Sequence, residues 1–184
     1  MSITQWAVLA AAAVLVFWMV GAYNRLVALR TRIGSAWAEV DAARRYRADA
    51  VDPLLAALRA PLAAEQGTLD SFGALHRQSA DAAAAVSVSP VSMLSTAAWV
   101  RAEAALASAA ARLLALADQQ RDALALAGNP AAPHLAVWHE GQTRLGFARR
   151  VFDAAAGDYN AALMQPPTRW LRRLFGFGPA GPIG

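Results

Sequence analysis

Residues 6–23 read WAVLAAAAVLVFWMVGAY, eighteen residues without a charge or an amide. As a helix the stretch is about 27 Å long, close to the hydrocarbon thickness of a bilayer. Ile3 and Thr4 extend it slightly. Trp6 lies at one end, and Trp18 and Tyr23 lie toward the other, where amphipathic rings favour the two interfaces. A helix buried in a soluble core keeps a polar face, and this one has none. A cleavable signal segment has a basic start and a shorter apolar run, and this one has neither. Residues 1–23 are therefore predicted to form a transmembrane helix. No basic residue precedes Trp6, whereas Arg25, Arg30 and Arg32 follow Tyr23 closely. The positive-inside rule then puts the N-terminus outside and the remainder in the cytoplasm, anchored in the cell (inner or plasma) membrane.

Beyond Tyr23 the pattern turns amphipathic. Ile33, Trp37, Val40, Val51, Leu54 and Leu58 follow helical spacing with one gap, filled on the same stripe by Arg44 and Arg47. Long arginine stems can cover apolar surface while their heads reach water, so the gap reads as a widened bundle edge. The competing reading is a groove for an anionic ligand or partner. No breaker separates the apolar segment from Val51, so the first helix is expected to run straight on; Pro53 kinks it and Pro61 ends it. A second helix is expected over about Leu62–Ala85, with Leu62, Glu65, Leu69, Phe72, His76 and Ser79 on one stripe. After a turn around Pro90, a third helix runs to about Ala127 and closes at Gly128-Asn129-Pro130. In the fourth helix Trp138, Leu145, Phe152 and Tyr159 repeat every seven residues, and Ala148, Ala155 and Ala162 keep the same step. This is a coiled-coil-like seam of alternating large and small side chains.

These elements predict an all-α protein: an N-terminal transmembrane helix continuing into an antiparallel four-helix bundle over residues 24–166. A short amphipathic helix over 167–177 and a flexible Gly/Pro tail over 178–184 complete the chain. An up-down-up-down path returns the fourth helix toward the membrane. There Trp170, Arg172, Arg173 and Phe175 form a candidate interfacial anchor, or else cap the bundle.

Composition narrows the chemistry. Without cysteine or lysine there is no disulfide, zinc thiolate, cysteine nucleophile, lysine Schiff base or P-loop lysine. The net charge of +4 is uneven: residues 24–59 carry seven Arg and four acids, 60–140 four Arg and seven acids, 141–184 six Arg and two acids. Basic ends beside a membrane segment account for the high pI without a nucleic-acid partner. The three histidines, His76, His134 and His139, form no metal pair, and His139-Glu140 lacks the second histidine of a zincin motif. Asp49 and Asp52, a turn apart, read as partners of Arg45 and Arg47 in surface ion pairs. No phosphate loop, nucleophile elbow, metal set or cofactor signature is present, so no catalytic residue is assigned.

YNRLVALRTRIGSAWAEVD (Tyr23–Asp41), AEAALASAAARLLALAD (Ala102–Asp118) and FARRVFDAAAGDYNAAL (Phe147–Leu163), with Gln165–Pro167 and LFGF at Leu174–Phe177, together resemble the LemA family. The resemblance covers residues 23–177. It implies a bacterial membrane protein with a cytoplasmic antiparallel helical bundle and no settled activity. Val51-Asp52-Pro53-Leu54-Leu55 stands where the family has Ile-Pro-Asn-Leu-Val. Arg44 replaces a usual leucine, and Phe152-Asp153 replaces a Tyr-Asn pair.

Two functions follow as expectations. The first is a membrane-anchored interaction or scaffold protein with protein partners, and with self-association through alanine faces such as Ala7 and Ala11. The alternative is a membrane-tethered ligand-binding protein or enzyme. Asp41, Arg44, Asp158, Tyr159 and Asn160 discriminate between them: gathered around one cavity they favour binding, dispersed they favour a scaffold.

Overall fold

The computed structural model describes residues 2–126, 128, 130–166 and 168–184; the side chains of residues 123, 126, 170, 171, 173 and 174 also fall outside the description. The expected interfacial roles of Trp170 and Arg173, and the parts of Asn129 and Pro167 as helix stops, lie outside the described residues. Among the described residues every regular element is helical. The helices are α1 (Ile3–Ala48), α2 (Val51–Leu58), α3 (Gln66–Val88), α4 (Met93–Gln119), α5 (Arg121–Leu126), α6 (Ala132–Met164) and α7 (Thr168–Phe175). One 3-10 turn, Ala63–Glu65, precedes α3.

α1 is one rod with two surfaces. Up to Tyr23 none of its residues is buried, and Phe17 is 78% exposed. From Leu26 onward Leu26, Ile33, Trp37 and Val40 turn one stripe into a core. An apolar helix long enough to cross a membrane thus passes without a break into the bundle. The break at Asp49–Ala50 falls four residues before Pro53, whose ring would meet the carbonyl of Asp49. α2 stops at Leu58, ahead of Pro61.

Side-chain pairs give the helix directions. Arg25 meets Gln165 and Tyr46 meets Glu140, so α6 runs antiparallel to α1. Trp37 donates to Ser87 and Arg47 shares Glu103 with Ser79, so α3 also opposes α1. α4 runs alongside α1, with Trp37 edge-on to Trp99 at 5.1 Å. Ser92 caps α4, its Oγ accepting from the Ser95 N–H at 3.3 Å. The expected third helix is interrupted at Gln120 and resumes as α5. Gly128, at φ +76°, then reverses the chain in the left-handed conformation that glycine favours.

The seven-residue seam of α6 is core throughout: Trp138, Leu145, Phe152 and Tyr159 are buried, as are Ala148, Ala155 and Ala162. Gly141 completes the series where α6 packs tightly against α1. A Cβ there would lie 2.6 Å from the Arg47 Cβ and 2.8 Å from its Cα. Two apolar clusters result. One gathers Ile33, Trp37, Trp99, Leu145, Phe152 and Tyr159, and the other Leu54, Leu58, Phe72, Leu106, Leu113 and Trp138.

Three expectations are corrected. Arg45 pairs with Asp41 and Arg47 with Glu103, in place of the expected Asp49 and Asp52. Arg47 does not lie at a bundle edge: it is 2% exposed, because a buried carboxylate compensates its charge. Residues 178–184 are not a loose tail: Ala180, Gly181 and Ile183 are buried, held by side chains of α6. Gly181 fits against Thr96 and Met93 of α4, where a Cβ would clash.

Candidate functional site

Between the two apolar clusters lies a polar layer to which each of the four long helices contributes. α1 supplies Arg47, α3 Ser79, α4 Glu103, and α6 Gln142 and Arg149. Glu103 is 4% exposed. Its Oε1 accepts from Arg47 Nη2 at 2.8 Å and from Ser79 Oγ. Its Oε2 accepts from Arg47 Nη1 at 2.9 Å and from Arg149 Nη2 at 3.1 Å. Arg47 Nη1 also donates to Gln142 Oε1 at 2.7 Å. The guanidinium of Arg47 lies over Trp138 at 4.9 Å, and that of Arg149 over Trp99 at 4.8 Å.

Burial alone would raise the Glu103 pKa. The hydrogen bonds and charge of Arg47, with Ser79 and Arg149, outweigh it and hold the carboxyl below its ordinary range. His76, half-buried nearby, is pushed below its ordinary range first by desolvation and then by the charges of Arg47 and Arg44. Its Nδ1 has no partner among the described residues.

This arrangement limits what the layer can do. A carboxylate offers about four lone-pair sites, and four donors occupy those of Glu103. A proton or a metal ion at Glu103 would have to displace one of these donors. A cleft of about 300 Å³ opens beside it, lined by Glu103, Gln142, Arg149 and Ile183.

The five discriminating residues are not brought together. Asp41 accepts from Arg44 at 2.8 and 3.0 Å and from Arg45 at 2.8 Å, all on α1. Burial raises its pKa, but those two arginines more than offset this and lower it. Asp158 faces Arg32 at 3.6 Å, with both side chains more than half exposed. Tyr159 and Asn160 hold the tail. The Tyr159 hydroxyl donates to the Gly178 carbonyl at 3.0 Å, and Asn160 exchanges two 2.9 Å bonds with the backbone of Ala180. Burial raises the Tyr159 pKa against the opposing charges of Arg30 and Arg172.

The Leu174–Phe177 stretch has a structural reason too. Gly176 takes φ +66°, and the Phe177 N–H closes back on the Arg172 carbonyl at 3.1 Å, a glycine-dependent helix stop. The turn brings Phe175 and Phe177 to Tyr23, at centroid distances of 5.2 and 5.9 Å. Phe175 also lines, with Val16, Met19 and Val20 of the apolar segment of α1, an apolar pocket of about 260 Å³. Arg172 is exposed. Sequence reasoning missed Glu103, Arg149 and Gln142. The available signal was Glu103 on the stripe Trp99, Leu106, Ala110 and Leu113, an acid at a core position opposite the arginine gap of α1.

The molecule is an all-helical bundle that grows out of an apolar N-terminal helix and is closed by its own tail. The LemA family profile matches residues 36–181, most of the chain, and the protein belongs to the LemA family. No curated protein matches it. Family and apolar helix together are consistent with a membrane-anchored protein.

Proposed function

We propose that this LemA-family chain is a membrane-anchored interaction or scaffold protein. In this reading α1 crosses the membrane once with its N-terminus outside, and the bundle stands in the cytoplasm. The observation that carries the reading is the single rod of α1, unburied through its apolar segment and then core-forming. Such a rod fixes the bundle directly to the bilayer and sets its distance from the surface. The arginines after Tyr23 support the orientation. The saturated hydrogen bonding of Glu103 and the dispersal of the family-motif residues support an interaction role over catalysis. A groove of about 710 Å³ on the outer face of α1 and α6, with Tyr46, Phe147 and Val151 along it, offers a surface to protein partners.

The absence of cysteine makes the topology directly measurable. Ser2→Cys and Ser108→Cys variants of the full chain are labelled with a membrane-impermeant maleimide in intact cells. Labelling at Ser2→Cys alone is expected, with Ser108→Cys reacting only after lysis. The reverse pattern would overturn the orientation, and labelling of both would overturn the crossing.

A further inference from the structure

A pocket of about 380 Å³ lies in the crook between α1 and the start of α7. Its wall on the α1 side is Phe17, Trp18 and Gly21; its upper rim is Arg25, Gln165 and Thr168. At about 1.5 Å per residue, Arg25 stands roughly 12 Å above Phe17 along the helix axis. The pocket therefore spans the change from apolar to polar surface on α1. Phe17 and Trp18 in its lower wall are both exposed. The Arg25 guanidinium is held toward the pocket by donating to Gln165 Oε1 at 3.2 Å.

Arginine outweighs acid at this end of the bundle. Residues 24–38 and 158–184 contain six arginines and one acid, Asp158, which faces Arg32. Arg25, Arg169 and Arg172 are exposed, and Arg30 and Arg172 lie close enough to Tyr159 to influence its proton. Such a surface complements an anion, and the apolar wall beneath it complements acyl chains.

We propose that this pocket holds one anionic phospholipid. Its phosphate sits at Arg25 and the start of α7, and its acyl chains lie along Phe17 and Trp18. The inference rests on the membrane reading above and adds a specific ligand to it. Arg25 selects headgroup charge, Gln165, Pro166 and Thr168 form the second wall, and the aromatic rings of α1 take the place of neighbouring lipid.

The test uses the full chain reconstituted in nanodiscs of phosphatidylcholine mixed with phosphatidylglycerol, each supplied in turn with a photoreactive acyl chain. Flotation of the reconstituted protein with lipid, resistant to high salt, is read first. Failure to float would remove the membrane reading itself, and with it this site. For protein that floats, cross-linking to residues 17–25 is expected from phosphatidylglycerol in preference to phosphatidylcholine. Arg25→Gln should lower that preference about fivefold, the loss of one juxtamembrane arginine, while Arg112→Gln on the remote part of α4 leaves it unchanged. Equal cross-linking by both lipids, or an unaltered preference in Arg25→Gln, would overturn the site while leaving the anchor intact. Displacement by inorganic phosphate alone would also overturn it, since recognition would then not involve the lipid.

Discussion

Replacing Glu103 with leucine removes the one acid in a layer that holds two arginines. Arg47 would lose its charged partner and the two hydrogen bonds to it: Gln142 Oε1 and the face of Trp138 would remain, both neutral. At 2% exposure its guanidinium cannot turn to water without opening the contact between α1 and α6. An uncompensated buried charge of this kind costs about 3–5 kcal/mol. Domains of this size have about 5–15 kcal/mol of stability in all, so Glu103→Leu should sit near the edge of folding. Arg47→Met should cost a similar amount, because Glu103 would retain only Ser79 and the partly exposed Arg149. The double variant removes both charges. Arg149 can swing toward solvent, and Ser79 loses one acceptor, worth about 1 kcal/mol. The double variant should therefore be more stable than either single one, with a coupling of at least about 2 kcal/mol.

Urea unfolding of the full chain in detergent micelles, followed by near-ultraviolet circular dichroism, measures this cycle. Trp37, Trp99 and Trp138 are buried in or beside the layer and report its packing. Equal m-values among the four proteins would confirm that midpoints compare stability alone. Additive losses in the double variant, or a loss below about 1 kcal/mol in Glu103→Leu, would refute the reasoning, because the carboxylate would then not be balancing a buried charge.

Other perturbations follow from the same contacts. Gly141→Ala should destabilise by about 1–3 kcal/mol, since its methyl would meet the Arg47 backbone. Gly157→Ala, with open space around it, should stabilise by about 0.5–1 kcal/mol in the same urea experiment. Asn160→Ala should release the tail, seen as faster hydrogen exchange at Ala180 and Ile183 with the core unchanged. The Glu103 pKa is depressed by folding, so its contribution to stability is complete above the unfolded-state value and is lost as pH falls through the lower folded value. His76, also depressed, acts in the same direction around its own higher range: the unfolded chain takes up the proton first as pH falls. Stability should thus decline toward acid, and less steeply below the carboxylate range in the Glu103→Leu/Arg47→Met variant.

The helices were legible because their signals are local. The seam of α6, the kink at Pro53, the stops at Pro61 and Gly128, and the unburied apolar start of α1 each follow from residues within one or two turns. The polar layer was not legible, because its meaning is shared among helices. Arg47 alone is compatible with a surface stem; with Glu103 across from it, the same residue is core. The tail was misread for a related reason. Gly178–Gly184 has the composition of a loose end, and the groups that fix it, Asp153, Tyr159 and Asn160, lie some twenty to thirty residues earlier.

The polar layer also answers a problem posed by the composition. Alanine seams are nearly self-similar: sliding α6 by one heptad exchanges Ala148, Ala155 and Ala162 with one another and Leu145 with Phe152 or Trp138. Apolar burial alone distinguishes such registers weakly. The layer does not, because the same slide puts Gln142 or Ala156 where Arg149 meets Glu103 and replaces Gly141, which alone admits the Arg47 backbone. Each mismatch leaves a buried charge or a clash. We infer that the layer fixes helix register more than it adds stability. The Glu103→Leu/Arg47→Met variant should then keep its helicity and much of its stability while losing a unique packing. Indole signals of Trp37 and Trp99 would broaden or multiply in its nuclear magnetic resonance spectrum. Single sharp signals at the wild-type positions would show that the two apolar clusters set the register without the layer.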